Sequence, residues 1–572
     1  MRAGAEFFTT PSSPMQKRYE ALRAYVVDHR RAEEIATAFG YSPATVYQMA
    51  AALRSGELEF FLSSKPGPKS ARKQVVIRDR VLELRANDLP IDEIAAVITK
   101  DGTPVSHQTV YEILRAEGFE RLPTRPKDAR GAAARGDTVK AQALKAWPSG
   151  TVYDSAHAGA YLLVPELVEV GLSELIKEAG YPSSRALSSW HSVGSLALLK
   201  LLRQRRVSHV DDVATDPALG LVLGLTALPK TTHLTTYSYR VARTANDSLQ
   251  QKLSARLRAL GFATGAEGFN LDFHAIRHHG DDSPLEANYV PKRSQATRSV
   301  LTFYAQDHAS TEMVYANADV TRPERATEIV AFADYWAKVT GADPGLLVFD
   351  SQLTTYSVLN DLSARGITWM TLRKRGKKVI EELSSVADKQ WSKARIERAG
   401  RYRHPHIYER VISIKGIDNP VRQIAVKNIG RDEPTLLITN DITTKAKDLF
   451  ARYAHRMLIE NELAAYIVGF HLDALSSGVA FNVDLDTTLT VVAGNVMRLL
   501  ARKLKRYEHA TPDTLYRHFI DTPGQVRVED DGVTVRLYTR THTPVLLEAG
   551  FKELNVSVPW WEGRRLRFEF PP

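Results

Sequence analysis

The sequence predicts a multidomain protein of mixed class: α-helical units at the N-terminus, then an α/β domain whose mixed sheet is flanked by helices, with a β-rich insertion and a β-rich C-terminal tail. Three observations carry this. Apolar residues recur at helical spacing, with capping residues, over the first 120 positions. From Gly268 to Leu475 strand-like and helix-like runs alternate. The tail from Gly524 to Phe570 holds short strand-like runs around turns at Asp531-Gly532 and Gly563. A chain of 572 residues is too long for one core, so two to four domains are expected. The boundaries read as a helical unit at 1–62, a basic linker at 63–73, a second unit at 74–120, a flexible linker at 121–150, a helical platform at 151–265, the α/β core at 266–510 with an insertion at 373–431, and the tail at 511–572.

Hydrophobic content of 44% and charged content of 25% are ordinary for a globular protein. No apolar run approaches the length of a bilayer span, and the N-terminus lacks a signal-peptide pattern, so a cytoplasmic protein with no membrane partner is expected. With no cysteine there is neither disulfide nor thiolate metal site, and a metal must sit on carboxylates or histidines. A net charge of +10 points to a polyanionic partner, most simply nucleic acid.

Residues 16–54 read as three short helices. Arg31–Phe39 carries Ile35, Ala36 and Phe39 at helical spacing; Gly40-Tyr41 makes a turn; Ser42 is a good N-cap and Pro43 suits the first position of the helix Pro43–Leu53. This pattern resembles a helix-turn-helix, with Pro43–Leu53 as recognition helix and Thr45 and Gln48 able to reach base edges. Residues 63–73, SSKPGPKSARK, exclude a helix or central strand and read as a linker or a groove-following arm. A second three-helix pattern over 74–118 has Ile91, Ile94, Ala95 and Ile98 on its middle helix and Ser106 capping its last, which places His107 and Gln108 near that helix's start. Its turn, Lys100–Val105, is longer. Residues 121–150, rich in Arg, Lys, Ala, Pro and Gly, read as a flexible linker.

From Tyr161 to Leu260 three helical stretches form a platform without obvious chemistry. The character changes at Gly268. Phe269–Ile276, Arg298–Ala305 and Thr311–Ala316 are strand-like, and a helix over Arg322–Val339 follows. Gly345–Asp350 is a buried-strand run, Thr354–Arg365 a helix and Thr368–Leu372 a strand. That makes a parallel βαβ unit with Asp350 at the C-terminal end of its first strand, where open α/β sheets place their chemistry. Residues 373–431 break the alternation; they are strongly basic and contain β-like runs at Val411–Lys415 and Gln423–Val426. Arg373, Lys374 and Arg375 are candidate phosphate contacts. Pro434–Thr439 resumes the strand pattern, and Leu489–Tyr507 reads as a helix before the tail.

Ala446–Leu475 reads as one long amphipathic helix, with Leu449, Phe450, Tyr453, Met457, Ala464, Ile467, Val468 and His471 on one face. Glu460 falls inside that face and Arg456 flanks it; Glu462 fits the solvent side. A carboxylate in an apolar stripe is costly unless paired or holding a cation, and a structural Glu460–Arg456 pair is the simplest alternative to a functional role. Two aspartates share this anomaly: Asp272 lies between Leu271 and Phe273 in a strand, and Asp350 ends a buried strand. Carboxylates from two strands and one helix of a sheet domain suit two Mg²⁺ or Mn²⁺ ions, which activate a water or 3′-hydroxyl and stabilise the leaving oxygen in phosphoryl transfer. His278, His279, Asp281 and Asp282 form a loop cluster that reads as a solvated turn. His274 shares the face of Asp272, and His404 and His406 fall in the basic insertion.

Over roughly residues 150–570 the sequence resembles the bacterial insertion-sequence transposases with an RNase H-like DDE core. Tyr453-x2-Arg456-x3-Glu460 looks like the motif around that family's catalytic glutamate, LLVFDSQ and LDFHAI like its two aspartate segments, and TLLITND and the β-rich insertion also fit. The resemblance implies that Asp272, Asp350 and Glu460 are catalytic and bind two Mg²⁺ or Mn²⁺ ions. It also implies that Tyr453 and Arg456 contact DNA phosphate, and that the protein cuts and joins element ends as a homodimer or higher synaptic assembly on double-stranded DNA. The family's lysine seven residues after the glutamate is here Ile467. A transposase-derived DNA-binding regulator that does not cut, and an RNase H-like nuclease that does not join strands, are the alternative expectations.

Overall fold

The computed structural model describes residues 14–55, 77–116 (apart from 79, 83, 86–90 and 101) and 141–571, the last apart from 278–285, 291–294, 352–353, 395–403, 430–432 and 475–479. The loop cluster of His278, His279, Asp281 and Asp282, the linker at 63–73 and part of the basic insertion lie outside the described residues. The chain is mixed α/β and divides into two compact units, residues 1–136 and 137–572.

The first unit contains two small helical cores. One is built from α1 (Pro14–Val26), α2 (Ala32–Phe39) and α3 (Pro43–Arg54) around Leu22, Ile35, Val46 and Met49. Gly40 closes α2 in the left-handed region at φ +63°, and the Ser42 hydroxyl accepts the Thr45 N–H at 3.1 Å, so α3 starts where the capping residues predict. The other core joins residues 77–85, helical where described, to α4 (Ile91–Lys100) and α5 (His107–Ala116) around Val81, Ile94 and Val110.

The second unit opens with β1 (Val152–Ser155) and a set of helices that includes α6 (Ser189–Leu201) and α7 (Arg243–Ala259). The sheet strands follow: β2 (Phe269–Arg277), β3 (Ala287–Val290), β4 (Gln295–Asp307), β5 (Met313–Asn317), β6 (Leu346–Val348) and β7 (Thr368–Leu372). Helix α8 (Arg325–Thr340) precedes β6, and α9 (Tyr356–Ala364) makes the crossover to β7. The insertion supplies α10 (Lys377–Ser384), β8 (Ser392–Lys393), β9 (His406–Ile412) and β10 (Val421–Lys427), and β11 (Thr435–Thr439) returns to the core. One ten-stranded sheet runs β3-β4-β2-β6-β7-β11-β10-β9-β8, with β5 pairing β4. β2, β6 and β7 are mutually parallel and the remaining pairs antiparallel. The insertion therefore extends the sheet rather than standing apart from it.

The expected single helix over Ala446–Leu475 is two: α11 (Ala446–Ala454) and α12 (Met457–Phe470). Between them Arg456 N–H bonds Tyr453 O, Leu458 N–H bonds His455 O and Ile459 N–H bonds Arg456 O, three-residue steps that tighten the turn and re-phase the helix. Beyond the break the buried face is Ile459, Leu463, Tyr466 and Phe470, while Met457 and Val468 are exposed. His471 is the C-cap at φ +54° rather than a member of the apolar face. The break lets one segment serve two cores. Leu449 and Phe450 pack with Val348, Met370 and Leu437 in a small core, and Ile459 and Phe470 join the main one.

Platform cations finish α12: Lys200 Nζ lies 3.4 Å from Phe470 O and an Arg203 N–H donates to Val468 O at 3.0 Å, where the helix dipole favours positive charge. Helix α13 (Ala480–Lys503) packs behind, and its Gly494 leaves room for the Tyr466 hydroxyl, which a Cβ there would strike. Its buried Asp484 pairs with Arg243, accepts from Asn246 at 2.7 Å and from the Ala318 N–H at 3.0 Å, tying platform, helix and β5 edge together.

The tail forms a five-stranded sheet, β1-β12-β13-β15-β14, from β12 (Gly524–Glu529), β13 (Gly532–Leu537), β14 (Asn555–Ser557) and β15 (Arg565–Glu569). β1, expected within the helical platform, pairs β12 in this sheet. Residues 141–150, expected as flexible linker, are pinned: Trp147 Nε1 donates to Glu529 O at 2.6 Å and Leu144 N–H to Gly224 O. Both corrections arise from contacts distant in sequence.

Glu462 also departs from expectation. Its side chain is 14% exposed and pairs at 3.2 Å with Arg498 of α13, itself 10% exposed, whereas Glu460 is 45% exposed. Glu462→Gln leaves Arg498 without its counter-charge. The expected loss is about 2–3 kcal/mol, below the ~3–5 kcal/mol of a fully buried pair because glutamine still accepts a hydrogen bond. Glu460→Gln should cost far less, and urea unfolding of the two variants side by side measures the difference.

Candidate active site

Asp272 belongs to β2, an interior strand between antiparallel β4 and parallel β6. In the parallel register Asn270 sits beside Val348, the last pair between the two strands, and Asp272 and Asp350 each follow two residues later in the chain. β6 ends at Val348, two residues short of the expected run Gly345–Asp350; Phe349 N–H still bonds Met370 O, and Asp350 lies just past the strand's C-terminal end. The Asp350 carboxylate accepts from the Ser351 hydroxyl at 3.1 Å. Glu460 stands in the first turn of α12, where the helix dipole favours a carboxylate.

Arg456 joins two of these acids. Its guanidinium lies 3.2 Å from Asp272 Oδ2 and 2.7 Å from Glu460 Oε1, and its side chain is 11% exposed. One turn earlier, Arg452 donates to Asn270 Oδ1 at 2.7 Å. The two contacts form rungs of a ladder. Arg452 lies on α11 and Arg456 in the turn that follows it, and together they span the two-residue step from Asn270 to Asp272 on β2. The structural Arg456–Glu460 pair that sequence reasoning weighed does form, and it is shared with Asp272.

The electrostatics show the acids acting on one another. Burial pushes the Asp272 carboxyl up to about 6; Arg456 opposes this, and the neighbouring charges of Glu460 and Asp350 add to it. Burial opposes the charge on Arg456 too, but Asp272, Tyr453, Glu460 and Asp350 outweigh it and hold the guanidinium above its usual value. The Tyr453 ring lies 5.9 Å from that guanidinium. Burial lowers Arg452 to about 10. Sequence reasoning missed Arg452 and Asn270; a fully buried Asn two residues before Asp272 on the same strand face was the available signal.

The remaining candidates lie elsewhere. Thr45 is half-buried and shares a 2.8 Å hydrogen bond with Ser42, Gln48 and His107 are exposed, and Gln108 donates to Glu112 at 3.0 Å. Arg373 bonds Gln423, Lys374 is exposed, and Arg375 pairs with Glu433 at 3.4 Å. His274 is half-buried on β2, and His406 meets Asn428 at 2.7 Å. Ile467 packs against the main core.

A hard divalent ion suits the donor set: three carboxylates, no sulfur, and an Asp272 raised by burial, to which the like charges of Glu460 and Asp350 add. Among the described residues, no three acidic or histidine side chains stand together as a metal cluster in this arrangement, in which Arg456 occupies the space between Asp272 and Glu460. No protein-family model matches the chain, and no curated protein matches it significantly.

The raised pKa gives a stability prediction. An acid that binds its proton more tightly when folded carries no penalty below its unfolded pKa, near 4, and the full penalty above about 6. Without divalent ions, Asp272→Asn should therefore melt higher than the unsubstituted protein at pH 7.5, by up to roughly 2–3 kcal/mol of stability, with the gain fading as pH falls toward 4. Melting curves across that range test it; a pH-independent difference would contradict the charge origin.

Proposed function

We propose that this protein is a DNA transposase of the DDE type, which binds the ends of a mobile element and carries out metal-dependent strand cleavage and strand transfer. The observation that carries the reading is the neighbourhood of the three acids: Arg456 pairs with both Asp272 and Glu460, and Asp350 follows the strand that runs parallel beside that of Asp272. That is the placement an RNase H-like core needs, and the mixed sheet with flanking helices supports it. The two small three-helix cores, each with a serine capping its last helix, support the helix-turn-helix reading of the N-terminus. Double-stranded DNA is the proposed partner, with a homodimer or higher assembly joining two ends at the nucleoid. Among the described residues no helix is long and apolar enough to cross a membrane.

Asp272, Asp350 and Glu460 would hold two Mg²⁺ or Mn²⁺ ions, which supply nucleophile activation and charge stabilisation at the leaving oxygen. The chain's own residues supply the rest. Arg456 serves as counter-ion to Asp272 and Glu460 in the free protein and turns to a DNA phosphate when DNA arrives, freeing both carboxylates. Arg452, anchored on Asn270, keeps that part of the helix in step with β2 while Arg456 moves. A DNA-binding regulator that no longer cuts has less support, since all three acids are present and coupled.

Asp350→Asn and Glu460→Gln keep side-chain shape and remove the charge that holds a cation. Each should lower Mg²⁺-dependent cleavage and joining of element ends by roughly three orders of magnitude, about 4 kcal/mol of transition-state stabilisation, while DNA binding survives. A folded Glu460→Gln protein cutting at near the unsubstituted rate would remove Glu460 from the site. In the absence of DNA, Arg456→Ala should tighten Mn²⁺ binding, read by electron paramagnetic resonance, by at least ~tenfold, since a competing cation is gone. Unchanged Mn²⁺ affinity would show that Arg456 does not compete for the carboxylates.

A further inference from the structure

The two N-terminal cores are copies of one another at the residues that matter for recognition. Glu34-Ile35-Ala36 of α2 has its counterpart in Glu93-Ile94-Ala95 of α4, and Ser42-x2-Thr45-Val46-Tyr47 at α3 recurs as Ser106-x2-Thr109-Val110-Tyr111 at α5. The likeness is three-dimensional. Ile35 and Ile94 are each 0% exposed, as are Val46 and Val110. Each serine accepts the N–H of its threonine, at 3.1 and 3.2 Å, and the paired hydroxyls meet at 2.8 and 3.0 Å. The threonine hydroxyls are thus engaged in capping. The side chain each copy holds outward at the next equivalent position is a tyrosine, Tyr47 at 51% and Tyr111 at 45% exposure.

Single exposed aromatics are ordinary on protein surfaces, and the Tyr47 ring also meets Tyr25 edge-on at 5.9 Å; what sets these two apart is that the same residue recurs, exposed, at the same position of both copies. The occupant that fits is duplex DNA. The chain carries +10, and the segment between the two units, residues 63–73, holds Lys65, Lys69, Arg72 and Lys73 and no acid. A tyrosine in the first turns of a groove-lying helix offers its ring to a thymine methyl and its hydroxyl to a base edge or phosphate.

We infer that Tyr47 and Tyr111 are equivalent specificity-determining residues, and that the protein reads a bipartite site containing two copies of the same short base step, one for each unit. This rests on the transposase reading and deepens its DNA-binding half.

The test is selection of duplexes from a random-sequence pool with the full chain, followed by binding measurements over a range of salt. The expected consensus contains the same step twice. Tyr47→Ala should lose preference at one copy and Tyr111→Ala at the other, each by roughly tenfold against a scrambled copy. Alanine is the strongest helix former, so the helical circular-dichroism signal should be unchanged and a folding defect is separable. The corresponding Tyr→Phe variants should keep methyl contact and lose only hydroxyl-dependent preference. A consensus without a repeated step, or preference that survives both alanine variants while salt-dependent binding persists, overturns this inference and leaves the transposase reading standing. Absence of any salt-dependent duplex binding overturns both.

Discussion

The segment from Ala446 to Phe470 has to fill two hydrophobic cores at once, and the geometry of the candidate site follows from how it does so. A straight helix presents one stripe. Leu449 and Phe450 point into the small core beneath the inserted strands, and Ile459, Leu463, Tyr466 and Phe470 point into the main core. The two stripes are reconciled by the tight turn at His455-Arg456, where neither Pro nor Gly is present. That turn puts Arg456 against β2 and rotates Glu460 away from the apolar face into the first turn of a new helix. The carboxylate that looked anomalous inside a stripe is in fact partly open to solvent, and the one that looked solvent-facing, Glu462, is the structural ion pair.

Asp272 is the expensive member of the set. Its side chain is only 19% exposed, and one guanidinium shared with Glu460 offsets only part of the cost of burial, which pushes the carboxyl up to about 6. Burial likewise raises the carboxyls of Glu462 beside Arg498 and Glu166 beside Lys503, so a raised carboxyl is common to the buried ion pairs of this fold. What distinguishes Asp272 from Glu462 is like charge: Glu460 and Asp350 both add to its shift, whereas burial and Arg498 alone set that of Glu462.

The local features were legible in the sequence. Alternation located β2, the βαβ unit placed Asp350 at a strand end, and capping residues set the start of α3. Those signals live within one or two turns of chain. What was not legible depended on partners far away. The phase change at Arg456 comes from two cores made by different strands. The burial of Glu462 comes from Arg498 on α13, and β1 and residues 141–150 are held by the tail sheet and by the loop at Gly224. A single helical wheel drawn through Ala446–Leu475 carried one phase across a break it did not register, and every misassigned face lies beyond that break.

The insertion has a topological consequence for Glu460. β7 runs parallel to β2, so a chain leaving β7 departs from the acid end of the sheet. The inserted strands return it through β11, antiparallel to β7, whose Thr439 lies beside Met370 and so on the level of Val348 and Asn270. After β11 the chain is heading away from the acids. It must climb back, and α11 does this: nine residues rise about 14 Å, enough to bring Arg452 to Asn270 and, one turn later, Arg456 to Asp272. A strand order that left β11 parallel to β7 would deliver the chain at the acid level with no ascending helix, and Glu460 would overshoot the aspartates. The inserted strands thus fix the direction from which the third carboxylate reaches the site, quite apart from any contact their basic residues make.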